Sequence, residues 1–111
     1  MKNQGEIEGK LQELQILEQN LQAILMQKQA FQLELNQTEN AIAEVSNTND
    51  EVYKMTGSIM IKTDKSTVLE ELKNKQKILG MRINALEKQE KLISAKSEEL
   101  KKETQKILDK K

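Results

Sequence analysis

Between Gln4 and about Asn47, apolar residues return every seventh position: Ile7, Leu14, Leu21, Leu35 and Ile42, with Lys28 the one polar member. Three residues after each stands a companion series, Leu17, Ile24, Phe31 and Val45, interrupted by Lys10 and Thr38. Nine of these twelve positions are apolar, and a three-four spacing of this kind marks a helix lying along a partner helix. Leu11 and Leu25 stand beside the stripe and are expected to widen it. Gln, Glu and Lys, all good helix formers, fill the other faces. The pattern predicts a helix over residues 1–48.

The second half repeats the theme. Leu72, Leu79, Leu86, Ile93, Leu100 and Ile107 fall at sevens without a miss, and the companion series is Leu69, Gln76, Ile83, Glu90, Ser97 and Thr104. Thr67-Val68-Leu69-Glu70 reads as a capping box, in which the hydroxyl and the carboxylate satisfy free backbone N–H groups. The predicted helix covers residues 66–111, with Gly80 its weak point at about 1 kcal/mol against alanine. Each helix of about 44 residues would reach roughly 66 Å. Helices of that length draw their stability from a partner along the seam.

Between them, Ser46-Asn47-Thr48-Asn49-Asp50 is a cluster of turn formers that should stop the first helix. The texture then changes to strand-type residues around a Thr56-Gly57 pair, where Gly57 can take the positive φ of a tight turn. The reading is one β-hairpin over residues 51–62, with Lys54 opposite Ile59, Tyr53 opposite Met60 and Val52 opposite Ile61. Both of its faces carry apolar side chains, and a lone two-stranded hairpin is marginal in water. Its open edges invite further strands, so it is expected to be an assembly element. The short connection makes the second helix fold back antiparallel on the first. The hairpin then sits at the closed end, and residues 1–17 and 95–111 meet at the free end, all within one domain, 1–111.

Composition narrows the function. The chain has 18 Lys+Arg against 18 Asp+Glu, no His, Cys, Pro or Trp, and one Phe and one Tyr. Without imidazole or thiol there is no nucleophile-base pair of the common kinds, no ordinary zinc site and no disulfide framework. No catalytic, cofactor-binding or metal residue is expected, and the chain reads as a non-enzyme that needs no cofactor. No apolar run approaches the ~20 residues that cross a bilayer, so no membrane partner is expected. The start, MKNQGEIEGK, lacks a signal-type apolar core, which makes cytoplasmic the default. Zero net charge argues against nucleic acid, whose binders carry a basic excess.

The hairpin stretch Asp50-Glu51-Val52-Tyr53-Lys54-Met55-Thr56-Gly57-Ser58-Ile59-Met60-Ile61 resembles that of the β class of prefoldin subunits, co-chaperones of archaea and eukaryotes. Gln27-Lys28-Gln29 and the stretch up to Asn36-Gln37-Thr38 are similar in a less distinctive way. The likeness covers nearly the whole chain, and a single hairpin fits the β class rather than the two-hairpin α class. The resemblance implies a mainly α fold, a long antiparallel two-helix coiled coil whose hairpin oligomerises into a β-barrel platform. It further implies a hexamer of two α-class and four β-class chains, with Val52, Tyr53, Met55, Ile59, Met60 and Ile61 as oligomerisation residues. The arm tips would hold non-native client proteins without ATP and deliver them to a group II chaperonin, in an archaeal source.

Near the free end more apolar residues stand than a two-helix seam can hide, and Ile16 and Leu108 lie off it. Ile7, Leu11, Ile16, Ile107 and Leu108 are therefore the expected client contacts, through nondirectional hydrophobic attraction. The Lys-rich end, from Lys101-Lys102 through Lys106 to Lys110-Lys111, is expected to be a solvated helix end with cations suited to a C-terminus. The competing reading is a structural coiled-coil adaptor that forms a small oligomer and has no general affinity for unfolded chains. Homo-oligomerisation through the hairpins stays open where the α-class partner is absent.

Overall fold

A computed structural model of the chain describes residues 2–110. Its order is helix α1 (Lys2–Asn47), strand β1 (Val52–Thr56), strand β2 (Ile59–Thr63) and helix α2 (Lys65–Asp109). Met1 and Lys111, the outer ends of the expected helices, lie outside the described residues. Two compact units divide the chain. One is built from the chain up to Gln29 and from Ala85 onward, the other from Ala30–Asn84.

The heptad seam is where the sequence puts it. All 24 seam positions, the polar ones included, are wholly or partly buried. In the first unit the buried apolar residues are Ile24 and Leu86; in the second they are Leu79 and Ile83, Leu79 being 2% exposed. Leu11 and Leu25 correct the expectation above: both are exposed, because their heptad places turn them off the seam rather than onto its rim.

Polar seam members are satisfied in two ways. Thr38 and Thr104 are buried and donate their hydroxyls to the carbonyls one turn back, of Glu34 and Leu100, at 2.8 Å each. Lys28 instead reaches across the first unit to the Glu90 carboxylate at 3.0 Å and lies 3.9 Å from that of Glu87. In the second unit Lys75 pairs with Glu34 at 3.2 Å, and the Arg82 guanidinium lies 5.6 Å from the centre of the Phe31 ring. Within each unit these pairs run early residue to late residue, so the helices are antiparallel.

Two local expectations are corrected at the hairpin. The observed register pairs Thr56 with Ile59, Met55 with Met60, Lys54 with Ile61, Tyr53 with Lys62 and Val52 with Thr63. Each partner is thus two residues further along than the sequence reading placed it. The cause is the turn: Gly57 and Ser58 alone form the loop, with Gly57 at φ +62 and no positive φ at Ser58. That is the type II′ pattern, whose twist matches the strands on either side. A shift of two keeps every side chain on its face, so the two-faced apolar character survives.

The second correction is the start of α2. Thr67 lies inside the helix rather than at its cap, because Asp64, just past the strand, occupies the cap and its carbonyl accepts the first helical bond from the Val68 amide at 3.0 Å. Lys65, the first residue of α2, closes the junction. Its ammonium donates to the carbonyls of Ser46 and Thr48 at 3.0 Å each, satisfying acceptors that the end of α1 leaves without partners.

Candidate functional site

The sequence-expected contact residues fall on two surfaces. In the second unit the hairpin is a two-stranded sheet with no third strand on either edge. One face carries Val52, Lys54 and Thr56 against Thr63, Ile61 and Ile59, and the other carries Tyr53 and Met55 against Lys62 and Met60. Tyr53, Met55, Ile59, Met60 and Ile61 are all exposed, at half or more of their surface, while Val52 at the base is half-buried. Alternating strands normally bury one face and wet the other. Here neither face is covered within the chain.

Polar contacts fix the hairpin's shape. The Tyr53 hydroxyl donates to one oxygen of Glu51 at 2.6 Å, and the Lys62 ammonium donates to the other at 2.9 Å. The Tyr53 bond first, and the Lys62 bond second, hold the Glu51 carboxyl below its ordinary pKa. The same bond to Glu51 raises the Tyr53 phenol above its own. On the opposite face Lys54 pairs with Glu71 of α2 at 3.0 Å, which ties the sheet to the helix below it.

The second surface is the free end of the first unit. Leu11, Ile16 and Leu108 are 45–55% exposed, whereas Ile7 and Ile107 sit half-buried in the seam. The structure therefore divides the five expected contact residues into three outward and two inward. The buried residues at this end are polar: Ser97 and Thr104. Lys10 clips the helices together through Glu103 at 2.7 Å, and that bond raises the lysine's pKa. Sequence reasoning did not single out Met26, Leu33, Met81 and Leu92, which are at least as exposed. The available signal was a second heptad spacing offset from the seam. Among the described residues no cluster of His, Cys, Asp or Glu could hold a metal ion, and no helix is long and apolar enough to cross a membrane.

Antiparallel helices with an uncovered hairpin between them define a class: a chain that completes its sheet only by assembly. Comparison with known proteins gives the family. The model for the prefoldin subunit family matches residues 8–111. The prefoldin β subunit of Thermococcus onnurineus is 41% identical over 104 residues, covering 92% of this chain and 87% of that one. That of Sulfurisphaera tokodaii is 34% identical over 107 residues, covering 95% and 86%. The crystal structure of the prefoldin β subunit from Thermococcus strain KS-1 superposes with a TM-score of 0.86 at 37% identity, over 91% of this chain and 90% of that one. The chain belongs to the prefoldin family and is a chaperone-type subunit.

Proposed function

We propose that the chain is an ATP-independent holdase subunit of the prefoldin β type. It binds unfolded proteins at its coiled-coil tip and passes them to a group II chaperonin. On this reading Val52, Tyr53, Met55, Ile59, Met60 and Ile61 join the hairpins of neighbouring chains into a β-barrel platform. Four such chains and two of the α class make the hexamer, which works in the cytoplasm of an archaeon.

The observation that carries the holdase reading is the inversion at the free end. Ser97 and Thr104 are buried there while Leu11, Ile16 and Leu108 are exposed. Exposed apolar groups spaced along a narrow tip offer sequence-independent adhesion to any chain that has not buried its own apolar residues. The adaptor reading predicts no such adhesion.

The test is suppression of aggregation of a chemically unfolded protein, without nucleotide, by the assembled complex. Joint Leu11→Ser, Ile16→Ser and Leu108→Ser should abolish suppression while native mass spectrometry still shows six chains. A second variant, Ile7→Ser with Ile107→Ser, should chiefly loosen the helix ends. Full suppression by the triple variant within an intact hexamer would refute the tip assignment.

A further inference from the structure

Lys65 stands in the wrong place for its own helix. It is the first residue of α2, where the positive end of the helix dipole disfavours a cation, and the first turn holds no acidic residue to offset it. The end of α1 has the complementary want. Its last turn carries no basic residue, and Glu44 adds a negative charge nearby. Helices commonly close on a residue in the left-handed region, whose amide caps the last carbonyls. Among the described residues only Gly57, at the hairpin tip, has a positive φ, so α1 has no cap of that kind. Lys65 supplies one from the other helix, through its bonds to the carbonyls of Ser46 and Thr48 at 3.0 Å each.

The place of these three residues along the chain gives the cap a second consequence. Ser46 and Thr48 precede the hairpin and Lys65 follows it, so the ammonium clasps together the two stems from which the hairpin hangs. Thr48 is half-buried, while Ser46, Asn47, Asn49 and Asp50 around it are exposed. Its hydroxyl accepts the Asp50 amide at 3.2 Å while its carbonyl accepts Lys65. One oxygen of Thr48 thus shapes the entry stem, and the other fastens that stem to α2.

Nothing else in the second unit fixes the hairpin so firmly. The Glu51–Lys62 pair, at 2.9 Å, joins the two sides of the hairpin to each other and reaches neither helix. The Lys54–Glu71 pair does reach α2, but both of its side chains are 53% exposed, and a pair so wet is screened by salt and contributes little. Apolar packing is no substitute, because no apolar residue of the hairpin is among the buried ones. The two bonds from Lys65 are charge-assisted and converge on a half-buried stem.

We propose that Lys65 is the positioning residue that sets the direction of the hairpin on the helix pair beneath it, by clasping the carbonyls of Ser46 and Thr48 to the start of α2. On the platform reading given above, neighbouring hairpins close one barrel only at a consistent tilt, so loss of the clasp would also disturb assembly. The direction itself is a property of a single chain and stands or falls apart from that reading.

Because the chain has no cysteine, spin labels at Ser58→Cys and Lys77→Cys, both exposed positions, report the distance from the hairpin tip to α2 by pulsed dipolar spectroscopy. Labelled chain is refolded with a large excess of unlabelled chain, so that distances within one chain dominate whatever the assembly. The expected result is one narrow distribution, which Lys65→Met broadens at least twofold. Lys65→Gln, too short to span both stems, should broaden it as well. Lys65→Arg should narrow it again, since its fork can donate to both carbonyls, and Lys54→Met should leave it unchanged. Helical circular dichroism checks that the helices stay formed in each variant. An unchanged width in both Lys65→Met and Lys65→Gln overturns the proposal, as does no narrowing by Lys65→Arg or equal broadening by Lys54→Met.

Discussion

Lys28 is the one charged residue in its heptad series, and the way it is accommodated yields a sharp prediction about what holds the two helices in register. Its ammonium lies 3.0 Å from Glu90, with the two side chains 30% and 29% exposed. At that distance the gross attraction is about 5 kcal/mol for an effective dielectric of 20 and about 1.4 in bulk water. Partial desolvation of both groups offsets most of the larger figure. A pair this wet should retain about 1 kcal/mol of net coupling, the upper end of what exposed pairs give.

The geometry also predicts an asymmetry. Lys28→Ala leaves Glu87 and Glu90 near each other without their shared cation, whereas Glu90→Ala leaves Lys28 within 3.9 Å of Glu87. The lysine variant should therefore cost about 1.5 kcal/mol and the glutamate variant about half of that. The double variant should cost little more than Lys28→Ala alone. Urea unfolding followed by helical circular dichroism measures all three, at one fixed protein concentration because assembly contributes to apparent stability. Costs that add to within about 0.3 kcal/mol would mean the pair is uncoupled. A costlier Glu90→Ala would mean Lys28 does not organise the cluster.

Three further outcomes follow from the second unit. Lys65→Met strips two carbonyl acceptors of their donor and should lower stability by about 1–2 kcal/mol, read as a lower thermal midpoint that Lys65→Arg partly restores. Gly57→Ala forces an L-residue to φ +62, at a cost of about 1–2 kcal/mol, and should shift the assembly toward smaller species in sedimentation. The Glu51–Tyr53 bond makes the hairpin sensitive at both pH extremes. Glu51 is depressed in the folded state, so its contribution is present above the ordinary carboxylate range and is lost as pH falls through the lowered value. Tyr53 is raised, so its contribution is complete below the phenol's ordinary value and is lost as pH climbs through the raised one. Tyr53→Phe should abolish the alkaline loss and weaken the acid one, as monitored by the pH dependence of assembly.

The elements differ in how far their sequence declares them, and the reason is the range of the interaction that fixes each. The seam is legible to the last residue, Lys10, Thr38, Ser97 and Thr104 included, because one period repeated over about six heptads outvotes any single polar exception. The hairpin's existence and its two apolar faces are legible for the same reason of period. Its register is not, because Thr56 and Ser58 fit a four-residue loop as well as a strand end, and only the Gly57 turn geometry decides. The start of α2 was misplaced because Thr67 and Glu70 form a plausible local cap, while Asp64 lies in strand-like surroundings. Among the candidate contact residues, heptad position sorts Ile16 and Leu108 outward and Ile7 inward. Leu11 reads as widening the stripe, but its heptad place instead turns it outward, 52% exposed. Lys65 could not be read at all: its two acceptors lie 19 and 17 residues back, and their meeting is a product of the folded junction.

The mixed seam at the free end also bears on why the proposed holding activity would need no nucleotide. Nucleotide-driven chaperones spend a conformational cycle exposing and hiding adhesive surface, since groups that can reach their own core will do so. Leu11, Ile16 and Leu108 have no such refuge, because the seam beside them is already filled, by Ile7, Leu14, Leu17, Leu100 and Ile107 together with Lys10, Ser97 and Thr104, and their own heptad places face outward. Thr104 is satisfied within its own helix by the Leu100 carbonyl, so the seam there stays closed without recruiting more apolar surface. Gln12, Glu13, Gln15 and Glu18 stand around Leu11 and Ile16 on α1, which keeps each exposed group isolated and the arm from sticking to its own kind at the tip. On the proposed holdase reading these groups are permanently available but individually weak, and strength would come when several arms touch one client. On the same reading, a client that folds would withdraw its apolar residues from that contact, so release would follow from the client's state without a change in the arm.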